Sequence, residues 1–354
     1  LVGFSVVCAI LIGVGFVYGA GNGGKIAYNY VAQKNGWPQI TSDSKNYLEQ
    51  IQLNASGKLI TEGLGSDDAV ANEDIPVITD NTHFQLIDPQ KRVQTFSPAY
   101  LVGDIETGEV VFAKNSTSTH PLASVTKLMT AVVAKENIKS QHEAVVNKEA
   151  YATFGSEGEL KLNEKIKVAD LMYPLLIESS NKGAEVLAYD YGREAFLTLM
   201  NEKAKTLGML KTHYDDASGL DADNVSTPTD LFILAQYIKR HYPEIYDITR
   251  VREYTILTHA WKNQNLFLLR KDFMGGKNGF IDEAKKTTVS LFEIEIPVYA
   301  RLSDEEGSTT ASGLTTTLVA NQGTFVKTGK TIKKTYAVII LKSDDRNQDA
   351  AALI

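Results

Sequence analysis

The sequence predicts a chain of mixed helix and strand, the α+β class, preceded by an apolar N-terminal segment. Three observations carry that expectation. Residues 99–113 alternate as a hairpin does, apolar runs at helical spacing follow residues 121 and 168, and strand-like stretches lie at 287–292 and 335–341. The 354 residues are 43% hydrophobic and 22% charged, enough apolar content for a core. A net charge of only -7 excludes global disorder, and 36 basic against 43 acidic residues leave no field that would attract nucleic acid. One cysteine excludes a disulfide framework. The histidines (His83, His120, His142, His213, His241 and His259) show no short ligand spacing, so no metal and no other cofactor is expected.

From Leu1 to Gly24 there is no charged residue, and residues 1–20 read LVGFSVVCAILIGVGFVYGA. About 20 apolar residues span a bilayer core as a helix, whereas a signal-peptide core has about 7–15. Residues 1–20 are expected to be a membrane anchor, or a signal cleaved near Val17-Tyr18-Gly19. Cys8 reads as a small apolar residue of the span, because Ser5-Val6-Val7 lacks a lipid-attachment pattern. Gly19-Ala20-Gly21-Asn22-Gly23-Gly24 matches G-x-G-x-x-G, but it leaves an apolar span rather than a strand, so it reads as a linker. Residues 21–90 lack sustained periodicity and are expected to form a linker or stalk, with a short helix near 44–52. Residues 91–354 are expected to be the folded domain.

Ala99–Asp104 and Val110–Ala113 flank Glu106-Thr107-Gly108-Glu109, which reads as a β-hairpin. Val125, Leu128, Met129 and Val132 then fall at i, i+3, i+4 and i+7, predicting a helix that buries one stripe. Ser124 lies in its first turn and Lys127 three residues on. At that spacing side chains share a face, so the amine can reach the hydroxyl. A serine is a poor nucleophile until a neutral base takes its proton, and burial lowers the pKa of a lysine. Taken alone, S-x-x-K is usually a helix N-cap followed by an exposed lysine rather than a catalytic pair.

The apolar run Val168–Glu178 reads as a helix kinked at Pro174, followed by Ser179-Ser180-Asn181 and a second helical run to Tyr191. The Ser-Ser-Asn link is either an N-cap or a way to set a hydroxyl and an amide beside an active serine. Further on, Gly275-Gly276-Lys277-Asn278-Gly279-Phe280 leads into the strand-like Thr287–Phe292. Its glycines would permit close approach of a ligand.

The order S-x-x-K, S-x-N, K-x-G resembles the penicillin-recognising serine enzymes. Within them the chain is most similar to the serine-type D-alanyl-D-alanine carboxypeptidases, the low-molecular-mass penicillin-binding proteins. The similarity runs from about Ser97 to Ala352 and includes residues 121–131, 170–181, 206–221, 226–242 and 275–284. It implies a mainly antiparallel sheet flanked by helices, of the serine β-lactamase/transpeptidase-like kind, with a helical lobe carrying Ser179–Asn181. It also implies roles. Ser124 would attack the penultimate D-alanine carbonyl, Lys127 would take its proton, and Ser179 would pass a proton to the leaving D-alanine. Asn181 would hold Lys127 and the substrate backbone. Lys277 would supply positive charge that lowers the pKa of Lys127 and attracts the terminal carboxylate. Substrate would bind along Lys277, Asn278, Gly279 and Phe280, with the backbone N–H groups of Ser124 and Phe280 holding the oxyanion.

The implied partners are peptidoglycan stem peptides ending in D-Ala-D-Ala, with β-lactams as inhibitors, in an extracytoplasmic setting at the membrane or cell wall. Two departures matter. Asn278 stands where the family has Thr, whose hydroxyl helps bind the terminal carboxylate. A literal K-T-G occurs later, at Lys327-Thr328-Gly329, where it reads as a turn feeding the strand Thr335–Leu341. Glu159-Leu160-Lys161-Leu162-Asn163 matches the E-x-x-L-N of class A β-lactamases but precedes Ser179 instead of following it, so it reads as a strand-and-turn edge. Residues 294–334 read as an insertion between two sheet strands, mobile over Ser308–Thr317, and the chain is expected to end inside a final helix. The expected function is carboxypeptidase; a D,D-endopeptidase acting on cross-links and a catalytically silent wall-binding homologue are the alternatives.

Overall fold

The computed structural model describes residues 52–53, 59–60, 93–155, 157–256, 258–301, 317–320 and 323–354. The expected anchor at 1–20, most of the linker at 21–90, and residues 308–316 of the stretch expected to be mobile lie outside them. Among the described residues, no helix is long and apolar enough to cross a membrane. The chain divides into two units, Leu1–Ala71 and Asn72–Ile354. In the first, Gln52–Leu53 pairs antiparallel with Leu59–Ile60, so Gln52 begins a strand rather than ending the expected helix.

The second unit is built on an antiparallel sheet. Strands β1 (Ala99–Asp104) and β2 (Val110–Lys114) form the expected hairpin. Strands β3 (Phe273–Ile281), β4 (Lys285–Arg301), β5 (Thr317–Ala320) and β6 (Gly323–Ser343) come later in the chain. The spatial order is β3-β4-β6-β1-β2, with β5 pairing β6. Alternation divides the central strands between two cores. Leu101, Val289, Leu291, Ala337, Ile339 and Leu341 face the larger one. Val102, Phe292, Val338 and Ile340 face a smaller one, which Phe267, Ala350 and Leu353 complete. Because both faces of β6 are covered, Tyr336–Leu341 reads as an unbroken apolar run rather than as an alternating one.

Of the described residues in 294–334, those at 294–301, 317–320 and 323–334 are strand. Strands β4 and β6 continue outward in antiparallel register as far as Arg301 opposite Phe325. Lys327-Thr328-Gly329 therefore lies inside β6, with Lys327 opposite Tyr299, and not in a turn.

The helical lobe is built around α1 (Lys127–Asn137), which a 3-10 turn at Ala123–Thr126 introduces. The sequence predicts one buried stripe here, yet every residue from Lys127 to Ala134 is buried. The helix runs through the centre of the lobe, so even its polar positions Lys127 and Thr130 are enclosed. Helix α2 (Val168–Tyr173) meets Pro174, which has no N–H to donate. The expected kink takes the form of a π-helical turn over Pro174–Glu178. Helices α3 (Asn181–Tyr191), α4 (Arg193–Thr206), α5 (Pro228–His241) and α6 (Pro243–Thr249) complete the lobe. The chain closes with α7 (Arg346–Leu353), whose buried Asp349 accepts hydrogen bonds from the backbone of Phe96 and Ser97.

Candidate active site

Three segments distant in sequence meet at one cleft of about 560 Å³, between the helical lobe and β3. Ser124 reaches it from the 3-10 turn, immediately after Ala123, which is held at φ +51°. Strain at a non-glycine left-handed residue persists only where the surroundings over-determine it. Here Gly219, itself at φ +81°, packs its Cα against the Ala123 carbonyl, and a Cβ there would overlap that carbonyl. On the other side the chain of β3 passes equally close. A Cβ on Gly279 would sit 2.8 Å from the Ser124 amide and 2.6 Å from Thr287 Oγ1. Gly276 likewise allows β3 to lie against Ser290 of β4. Gly276 and Gly279 thus serve close packing within the protein, and both also line the cleft.

The Lys127 amine is fully buried and touches three oxygens: Ser124 Oγ at 2.9 Å, Asn181 Oδ1 at 2.7 Å and the Ser218 carbonyl at 2.5 Å. A neutral amine has two N–H donors and one lone pair. Asn181 Oδ1 and the Ser218 carbonyl can only accept, so in that state they take the two donors. The lone pair is left to face the Ser124 hydroxyl. Burial is the main force on this amine and lowers its pKa to about 7; the carboxylates of Asp216, Glu157 and Glu185 pull it back upward.

Asp216 also shapes the loop that delivers the Ser218 carbonyl. Its Oδ1 accepts from the Ser218 and Gly219 amides, and its Oδ2 from the Asp221 amide at 2.7 Å. Nothing in the S-x-x-K spacing points to Ser218 or Asp216, although both fall within the 206–221 block of resemblance.

The Ser-Ser-Asn link divides its work. Ser180 is the N-cap of α3, accepting from the Gly183 amide and donating to the Glu157 carbonyl at 2.6 Å. Ser179, at φ +67° on the end of the π turn, instead turns its hydroxyl to the cleft, where Lys277 Nζ donates to it at 2.8 Å. A π-helical turn commonly marks a functional position, because it breaks the helical phase and re-aims the side chains beyond it. Asn181 uses its Oδ1 on Lys127 and donates its Nδ2 to the Phe154 carbonyl at 3.1 Å. Glu178 sets the cleft wall, accepting from the amides of Gly158 and Lys262 at 2.8 Å each. Glu157 lines the cleft, whereas Glu159 of the E-x-x-L-N match is exposed at φ +47° and outside it.

Lys277 is buried between Ser179 Oγ and the Asn278 carbonyl, each at 2.8 Å. Burial first, then the charges of Lys127 and Arg346, push its pKa well below the ordinary lysine value. Burial is the larger cause for both amines, and the repulsion between Lys127 and Lys277, which acts on both, adds to it. Arg346, which sequence spacing does not single out, reaches the cleft from the start of α7. Its guanidinium donates to the Gly279 carbonyl at 2.8 Å. Only the sheet order carries it there, since β3 and β6 flank β4. Phe280 lines the cleft with its ring exposed.

Comparison with known proteins places this geometry. A family model described as D-alanyl-D-alanine carboxypeptidase matches residues 87–295. A D-alanyl-D-alanine endopeptidase of Pseudomonas aeruginosa is 31% identical over 219 residues, covering 57% of this chain and 70% of the relative. The D-alanyl-D-alanine carboxypeptidase DacC of Escherichia coli is 32% identical over 185 residues; the match covers 48% of this chain and 46% of DacC. Penicillin-binding protein D2 from Listeria monocytogenes, solved in a cefotaxime-bound form, superposes with a TM-score of 0.57 and 25% identity. The superposition covers 75% of this chain and 98% of that one. The matched residues 87–295 take in the helical lobe and β3, the two walls of the cleft, and the chain belongs to the D-alanyl-D-alanine carboxypeptidase family of serine peptidases.

Proposed function

We propose that this chain is a serine D-Ala-D-Ala carboxypeptidase that removes the terminal D-alanine from peptidoglycan stem peptides. Its acyl-enzyme forms on Ser124. The observation that carries this reading is the buried Lys127 amine, 2.9 Å from Ser124 Oγ, with acceptor-only oxygens on its remaining contacts. Membership of the family supports it independently.

In this reading Ser124 Oγ attacks the carbonyl carbon of the penultimate D-alanine while its proton passes to Lys127 Nζ. The oxyanion forms against the backbone N–H groups of Ser124 and Phe280, a reading that the close packing of Gly279 against the Ser124 amide supports. As the C–N bond breaks, Lys127 gives its proton back and Ser179 hands one to the departing amine. Its contact with Lys277 supplies a chain for that proton. Water then adds to the ester as Lys127 takes its proton, and Lys127 passes that proton to Ser124 Oγ as the acyl–oxygen bond breaks. Asn181 holds Lys127 in place. Lys277 and Arg346 face the end of the substrate that carries negative charge. A cleaved or retained export segment at 1–20, a linker at 21–90 and a catalytic domain at 91–354 would place the cleft outside the cytoplasm, where stem peptides lie.

Incubation with a stem pentapeptide tests the activity. D-alanine release and labelling of Ser124 by a fluorescent penicillin are expected, and both vanish in Ser124→Ala. No D-alanine and no label from the parent chain would leave a catalytically silent wall-binding homologue. Cross-linked muropeptides test endopeptidase action, the second reading, which relatives of that name favour.

The pH dependence comes from Lys127. Because its pKa is lowered to about 7, the neutral base is scarce below that pH and dominant above it. The value of kcat/KM is expected to rise with pH through a midpoint near about 7, measured between about pH 5 and pH 9. A flat profile over that range would remove Lys127 as the base.

A further inference from the structure

One peptide group links the Lys127 amine to a buried carboxylate. The unit between Ser218 and Gly219 offers its carbonyl to Lys127 Nζ at 2.5 Å, and its N–H donates at the opposite end to Asp216 Oδ1. Lys127, a peptide dipole and Asp216 therefore stand in series. Asp216 is buried, and its oxygens also accept from the Ser218 and Asp221 amides at 2.7 Å each, from Ser218 Oγ at 3.3 Å and from Asn224 Nδ2 at 3.2 Å. These donors are neutral, so they satisfy both oxygens and leave the charge in place. Asn224 accepts in turn from the Asp215 and Asp216 amides and donates to Thr126 Oγ1 at 3.1 Å, which ties the loop to the turn that carries Ser124.

Four other elements bring charge to Lys127 or Asp216. Glu185 of α3 acts on both, but it pairs with Arg193 at the start of α4 at 3.0 Å. Lys277 of β3 repels Lys127, and Glu157 lies exposed at the cleft. On the loop itself Asp215 faces His213 at 3.3 Å, and Asp221 accepts from the Asp223 amide at 2.9 Å. When Lys127 takes the proton of Ser124 it becomes an ammonium. A carboxylate at the far end of a hydrogen-bonded peptide group strengthens the carbonyl that receives that ammonium. We propose that Asp216 is a positioning residue that acts on Lys127 through the Ser218–Gly219 peptide group and stabilises the ammonium formed when Ser124 is deprotonated. This deepens, and rests on, the reading of Lys127 as the base of a D-alanyl peptidase. The proton still moves from Ser124 Oγ to Lys127 Nζ, and no further bond changes.

Asp216→Asn in the full chain keeps the size of the side chain and removes its charge. The midpoint of its kcat/KM profile for D-alanine release is expected to lie about one pH unit below that of the parent, since a carboxylate favours the protonated amine. The rate at high pH is expected to fall about tenfold, because a weaker base takes the proton less readily. A loop that only supports the fold would lower the rate and leave the midpoint in place. A midpoint displaced downward by less than about 0.3 unit therefore overturns the proposal and leaves the peptidase reading intact. Salt carries the same test on the parent chain, should the variant fail to fold. A buried charge is screened little, so the parent midpoint is expected to hold within about 0.3 unit between about 0.05 M and about 1 M sodium chloride. A larger fall assigns the effect to the exposed Glu157 and overturns the proposal. A parent chain that releases no D-alanine, or whose profile has no midpoint, overturns the proposal together with the reading on which it rests.

Discussion

Lys127→Arg is expected to release D-alanine about 10³-fold more slowly than the parent chain and to leave Ser124 unlabelled by fluorescent penicillin. The substitution keeps a positive charge in the pocket and removes the ability to lose it, because a guanidinium is not deprotonated in a protein. If Lys127 acted only by its charge, arginine would preserve much of the rate. If it acts as the base, arginine abolishes proton transfer while the serine stays in place. The environment argues for the base. The amine is fully buried, its pKa is lowered to about 7, and Asn181 Oδ1 and the Ser218 carbonyl occupy the positions that two N–H donors would serve. A thermal melt accompanies the assay, since arginine is larger than the lysine it replaces. A folded variant within about tenfold of the parent rate would show that another group takes the proton.

Gly219→Ala carries the second large effect and acts through the backbone. Gly219 sits at φ +81°, a region that L side chains adopt at a cost, and an added Cβ would overlap the carbonyl of Ala123. That carbonyl belongs to the strained residue immediately before the nucleophile, and neither partner is a flexible side chain that could swing away. The overlap is relieved only by moving the Ser124 turn or the 216–219 loop that presents the Ser218 carbonyl to Lys127. Either shift is expected to lower stability by about 4 kcal/mol or more and to slow D-alanine release by about 10²-fold or more. Chemical denaturation and steady-state kinetics measure the two effects. Alanine at Gly192, also at positive φ but with nothing within 4 Å of the added Cβ, separates strain from overlap. Equal losses at the two positions would show that the close approach at Gly219 has no special role.

How far the chain can be read without coordinates depends on the range of the interactions involved. The hairpin of β1 and β2 is legible because alternation and a turn are local. So is the placement of Ser124 and Lys127 one helical turn apart, which rests on 3.6-residue periodicity. The motif order then brings Ser179, Asn181 and Lys277 into one family pattern, and the structure assembles them at one cleft. Sequence alone leaves the role of Ser-Ser-Asn open, and both alternatives hold for different residues: Ser180 caps α3 while Ser179 faces Lys277.

Elsewhere local patterns mislead. An amphipathic stripe implies a half-exposed α1, but the lobe surrounds that helix on all sides. The polar and β-branched stretch around residues 294–334 resembles an insertion, since strand pairing between segments distant in sequence leaves no periodic trace of its partner.

By itself the sequence determined the chemistry available: a hydroxyl and an amine at helical spacing, a polar link after a proline-broken helix, and a lysine set among glycines. Tertiary structure decided what that chemistry becomes, because pKa depends on enclosure rather than on composition. Burial is the main force that makes Lys127 a base. The Ser218 carbonyl and Arg346 join the site only because the sheet and loops bring their distant segments to Ser124.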